Sequence, residues 1–106
     1  MAKYLVHVNY TVEGVKGLVK DGGSARRAAA KAAIESLGGK LDAFYFAFGE
    51  YDVIAIFDAP DHIAMSALSL TVGATGAVST KTTVLLTPEE VDQVVKKTVT
   101  YKAPGK

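Results

Sequence analysis

The sequence predicts an α+β fold, a four-stranded antiparallel sheet with its helices on one side. Three observations predict it. Alternating, β-prone runs occur at Lys3–Thr11, at Phe44–Phe48 with Tyr51–Phe57, and at Ala77–Thr87. Helix-periodic stretches separate the first run from the second and the third from the fourth. The two central runs are joined by only Gly49-Glu50, a hairpin signal.

In the first strand, Tyr4, Val6, Val8 and Tyr10 share one face, and Leu5, His7 and Asn9 the other. Thr11 can cap a helix over Val12–Lys20, with Val12, Val15, Leu18 and Val19 at helical spacing. Gly14 and Gly17 weaken that helix by about 1 kcal/mol each relative to alanine. Asp21-Gly22-Gly23 breaks it, and Ser24 is placed to cap a stronger helix, Ala25–Leu37, whose inner face is Ala30, Ala33, Ile34 and Leu37. Arg26-Arg27 and Lys31 read as a solvated strip, and Gly38-Gly39 ends the helix.

In the hairpin, a glycine at the first turn position suits a type II′ turn. That places Phe48 opposite Tyr51, Phe46 opposite Val53 and Phe44 opposite Ala55 on one face. Ala47–Asp52, Tyr45–Ile54 and Ala43–Ile56 pair on the other. Both faces are apolar, whereas antiparallel sheets often leave one side in water, so each face needs a cover.

Asp58 and Pro60 start a further helix, Asp61 to about Val72, apolar nearly all round. After Gly73–Gly76 comes the fourth strand. Thr87-Pro88-Glu89-Glu90 then combines a capping box with proline at the first helical position, launching a short helix with Val91, Val94 and Val95 inward. Thr98–Tyr101 is expected to be extended. Residues 1–101 form one domain and 102–106 a flexible tail. Right-handed crossovers give the strand order 4-1-3-2, a ferredoxin-like βαββαβ plait plus a C-terminal helix. Its helices cover one sheet face, and a second copy, sheet against sheet, is the simplest cover for the other.

Composition narrows the function. The chain has 106 residues, 49% of them hydrophobic, and a net charge of +1, so no global field favours nucleic acid or an acidic membrane. There is no cysteine, which excludes disulfides and thiol chemistry. Nothing resembles a signal peptide or a membrane span, so a soluble cytoplasmic protein is expected.

The run Gly49-Glu50-Tyr51-Asp52 resembles the signature of GYD-domain proteins, small bacterial and archaeal proteins of the dimeric α/β-barrel group. Further similarity lies in Tyr10-Thr11 with Gly14-Val15-Lys16, Leu37-Gly38-Gly39-Lys40, Ala59-Pro60-Asp61, Gly76–Thr80 and Thr87-Pro88-Glu89-Glu90. The resemblance implies a dimeric α/β barrel. It brings no activity with it, so no catalytic role carries over.

Candidate site residues are His7, Asn9, Tyr45, Tyr51 and Asp52. Tyr45 and Asp52 lie diagonally on one hairpin face, where Asp52 would act as a base and Tyr45 as an orienting donor in a pocket between sheet and helices. The simpler reading is a tyrosine hydroxyl satisfied by a neighbouring carboxylate or backbone group. His7, with Asn9 beside it, would line the same cavity near Asp52, although a lone strand histidine usually serves packing. His7 and His62 lack metal-ligand spacing, and neither metal nor cofactor is expected. Lys81 among serine and threonine reads as protection of a sheet edge rather than an anion site. The aromatic hairpin lacks the glycines and basic residue of an RNA-recognition motif.

The leading expectation is a homo-oligomeric module binding a small apolar or mixed ligand between sheet and helices. The alternative is a cofactor-independent enzyme, monooxygenase- or isomerase-like, which rests on fold analogy. A third reading, a metabolite-sensing regulatory plait, would expect an attached catalytic domain.

Overall fold

Alternation of apolar residues sets the first strand, β1 (Ala2–Tyr10), in the middle of the sheet, where Tyr4 and Val6 are buried on one side only. The computed structural model describes residues Met1–Lys106 throughout. After β1 come α1 (Val12–Asp21), α2 (Gly23–Ser36), β2 (Lys40–Phe46), β3 (Val53–Ala59), α3 (His62–Gly73), β4 (Val78–Leu85) and α4 (Pro88–Val94). All strand pairs are antiparallel, in the order β2-β3-β1-β4, which is the expected 4-1-3-2 read from the other edge. The fold is a ferredoxin-like plait. No helix is long and apolar enough to cross a membrane.

The phenylalanine set faces the helices. Tyr4, Val6, Ala55 and Phe57 from the sheet form the core with Ile34 of α2 and Met65 of α3. Phe44 and Phe46 meet edge to face, their centroids 5.4 Å apart. The hairpin register is the expected one through Phe46–Val53, Tyr45–Ile54, Phe44–Ala55 and Ala43–Ile56, and slips by one residue between Ala43 and Leu41. The turn is different. Gly49 does not take a positive φ, and Phe48 is 100% exposed rather than set against Tyr51. Ala47 N–H still donates to the Asp52 carbonyl at 2.8 Å. Beyond that pair Tyr51 and Asp52 bind to β1, which opens the tight turn into a wider loop.

Local chemistry explains the helix ends. The Thr11 hydroxyl accepts from Gly14 N–H at 3.2 Å. Gly14 itself is where α1 crosses closest to the chain before β4, since a Cβ there would collide with the Ala77 carbonyl oxygen. Ser24 does not cap α2. That helix begins two residues earlier, with Gly22 (φ 83°) as its N-cap and no side-chain bond. Asp61, not Asp58, caps α3, accepting from Ala64 N–H at 2.8 Å, so Pro60 precedes the cap instead of opening the helix.

The C-terminal segment departs most from expectation. Every residue of α4 is exposed, Val91 and Val94 among them, as is its C-cap Val95, and no strand forms at Thr98–Tyr101. Pro88 at the first helical position holds the preceding Thr87 extended (φ −72°, ψ 159°). The helix therefore starts at once on leaving β4 and runs off the body. The molecule measures 57 × 33 × 23 Å. Its radius of gyration is 16.9 Å, against roughly 13 Å for a compact domain of this length.

Candidate functional site

The strand register aligns four residues across the sheet face that no helix covers, in the row Tyr45, Ile54, His7 and Lys81. Because side chains alternate along a strand, this row faces away from Phe44, Ala55, Val6 and Val8. His7 and Tyr51 stack with centroids 4.1 Å apart and rings 31° from parallel. The Lys81 ammonium sits 5.8 Å from the centroid of the same Tyr51 ring, within cation–π range. Asn9 lies opposite Ser79 in the register, two residues along from His7 on the same face. At the far end of that face Lys3 binds Asp42 and also Asp58, the latter at 3.2 Å. Those bonds, to Asp42 foremost, hold the Lys3 ammonium above its ordinary pKa of 10.5.

The expected pairing of Tyr45 with Asp52 in a pocket beneath the helices does not form. Tyr45 is 70% exposed on the open face. The Asp52 carboxylate accepts from the backbone N–H of Tyr10 at 2.8 Å, and its own N–H donates to the Val8 carbonyl at 2.9 Å. Of the five sequence-derived residues, His7 and Tyr51 touch, Asn9 shares their face, and Tyr45 stands in their row beyond Ile54. Asp52 ties the loop to β1.

On the opposite side of the sheet, α2 and α3 leave a cleft that those five residues do not line. One part, a half-open hollow of about 110 Å³, lies between Val6, Phe44 and Phe57 of the sheet, Ala33 of α2, and Met65 and Leu68 of α3. A second hollow of about 200 Å³ shares Val8, Ala30, Ala33, Phe44 and Val72 with it and reaches Tyr10 and Arg26. Only two hydroxyls interrupt the inner lining, Ser69 and Thr80, whose oxygens lie 3.4 Å apart. The small side chains of Ala30 and Ala33 on α2 leave this space under the helix.

At the outer end Arg26 is half-buried, 3.8 Å from Asp21, and lines the same hollow as Tyr10. Burial pushes the Tyr10 phenol above its ordinary value of 10.0, with Arg26 pulling against it. Arg26 is thus not part of the solvated strip to which Arg27 and Lys31 belong. Its position at i−4 and i−7 from Ala30 and Ala33 was the available signal, since that spacing puts it on the inner face. No three His, Cys, Asp or Glu side chains gather in a way that would hold a metal ion.

Residues 4–95 match the family model of the GYD domain. The chain belongs to the GYD domain family. In this GYD domain the Gly49–Asp52 run forms the β2–β3 loop, in which Tyr51 stacks on His7 and Asp52 binds the end of β1. No curated protein and no solved structure matches the chain.

Proposed function

We propose that this GYD domain is a homodimeric module that holds a small, mostly apolar molecule between its sheet and its helices. The apolar cleft under α2 and α3 carries this reading. A dry apolar cavity of about 150 Å³ holds benzene, so the inner 110 Å³, extended by the adjoining hollow, suits an uncharged ring or short branched chain. Its lining offers hydroxyls but no titratable group deep inside, which favours holding a ligand over proton transfer. A second copy on the open sheet face would cover Leu5, Ile54 and Ile56, which a lone chain leaves only half-buried.

The test is a thermal-shift series with indole as probe, on the natural chain and on Ala33→Phe. A ligand selective for the native state raises the melting temperature. Indole is expected to raise it in the natural chain and not in Ala33→Phe, whose ring fills the cleft. An unchanged melting temperature with millimolar indole in the natural chain, or an equal rise in both, refutes the proposal.

A further inference from the structure

The C-terminal arm carries an apolar stripe with nothing of its own chain on it. Val91, Val94 and Val95 lie at i, i+3 and i+4 on one side of α4, and Val95 is 74% exposed. Val99 and Tyr101 continue the exposed apolar run. A seven-residue helix is marginal in water by itself, even with the complete capping box that Thr87 and Glu90 provide here. Its stability therefore calls for a packing partner.

A second unpartnered stripe lies on α3. Ile63, Ala67 and Leu70 share one side at i, i+4 and i+7, all are exposed, and Leu70 is 75% so. Between Asp61 and Gly73 the helix carries no Asp, Glu, Lys or Arg, so nothing charged interrupts that side. The exposed valines of α1, by contrast, alternate with Glu13, Lys16 and Lys20. Only two residues, Leu86 and Thr87, separate β4 from α4, the proline and capping box fix the exit, and both stripes stay exposed, so neither is covered within its own chain.

We infer that the arm of each chain docks its Val91/Val94/Val95 stripe on the Ile63/Leu70 stripe of α3 in a second copy. Reciprocal exchange satisfies two stripes per chain with one two-fold operation. The area is sufficient. The chain exposes 7448 Å², roughly 1,800 Å² more than a compact monomer of 11.1 kDa. A standard interface takes about 800 Å² from each partner, so the surplus accommodates the arm and the open sheet face together.

This rests on the dimer proposed above, and the experiment separates the two. Because the chain has no cysteine, Val95→Cys and Leu70→Cys chains can be mixed, allowed to exchange subunits and mildly oxidised, and the products weighed by mass spectrometry. The arm reading expects the mixed disulfide to exceed both symmetric ones. A dominant symmetric disulfide, no disulfide, or preferential capture of a Val15→Cys chain instead of Leu70→Cys overturns it. Sedimentation equilibrium supplies the second arm: Val94→Glu with Val95→Glu is expected to weaken the dimer by about tenfold or more while leaving the sheet's circular dichroism intact. A natural chain that sediments as a monomer at micromolar concentration overturns both the dimer and the arm. A dimer whose affinity survives the two glutamates overturns the arm alone.

Discussion

The Asp52 carboxylate accepts the backbone N–H of Tyr10 at 2.8 Å, tying the start of β3 to the end of β1. The same residue's N–H reaches the Val8 carbonyl and its carbonyl receives Ala47 N–H, so one aspartate joins the ends of three strands. Asp52→Ala strands the part-buried Tyr10 N–H and is expected to cost about 1–3 kcal/mol. Asp52→Asn keeps an acceptor oxygen and is expected to cost less. Urea unfolding with an unchanged m-value would show this order. Equal stability of Asp52→Ala and the natural chain would mean that the bond does not hold the loop.

The two glycines of α1 look alike in the sequence but have opposite consequences. A Cβ at Gly14 runs into the Ala77 carbonyl, which already accepts Thr11 N–H at 2.9 Å, whereas a Cβ at Gly17 meets nothing within 4 Å. Gly14→Ala is therefore expected to destabilise by about 1–3 kcal/mol despite alanine's better helix propensity. Gly17→Ala should stabilise by about 0.5–1 kcal/mol. Thermal melts of the two variants should move in opposite directions, and a shared direction would contradict the close crossing.

Periodicity made the plait legible: alternation marks the strands and their two faces, the handedness of the crossovers gives their order, and the short Gly49-Glu50 link gives the hairpin register. It could not say which apolar face the helices would take, because Phe44 and Ile54 are equally suited to burial. The turn departs from the two-residue form because the contacts of Tyr51 and Asp52 with β1 are tertiary and outweigh the local preference of Gly49. The valine stripe of α4 was legible as a stripe, but its direction depended on how Pro88 sends the chain off the sheet. For the site, the residue types that attract chemical attention gathered on the open face, while the cleft is built from alanines and a methionine that no motif singles out.

Alkaline stability should depend on Tyr10. Burial, above all, raises its phenol above 10.0, so the folded chain keeps a proton that the unfolded chain gives up. A group whose folded pKa is raised contributes stability that is fully present below the unfolded value and lost as pH climbs through the folded one. Lys3, raised by its bonds to Asp42 and Asp58, acts with the same sign. The melting temperature should therefore fall as the pH passes from about 9.5 to 11. Tyr10→Phe removes the phenol's share, and its melting temperature should fall less steeply over that interval. Identical slopes for the two proteins would assign the alkaline loss to other groups.

A charge placed at Ile54 tests the open face directly. Ile54 stands between Tyr45 and His7 in the row that crosses the sheet, with its side chain away from the core. In a lone chain Ile54→Glu puts a carboxylate into solvent beside His7 and should change unfolding free energy by less than about 1 kcal/mol. In a two-fold, sheet-on-sheet dimer the same change buries one carboxylate from each chain in an apolar contact where the only basic group beside it is the His7 imidazole. A buried unpaired charge costs about 3–5 kcal/mol, so dimer affinity should fall by about a hundredfold or more. Sedimentation equilibrium reads the affinity and urea unfolding at high dilution reads the fold. An Ile54→Glu chain that still sediments as a dimer at the natural affinity would place the contact elsewhere and leave this face to solvent.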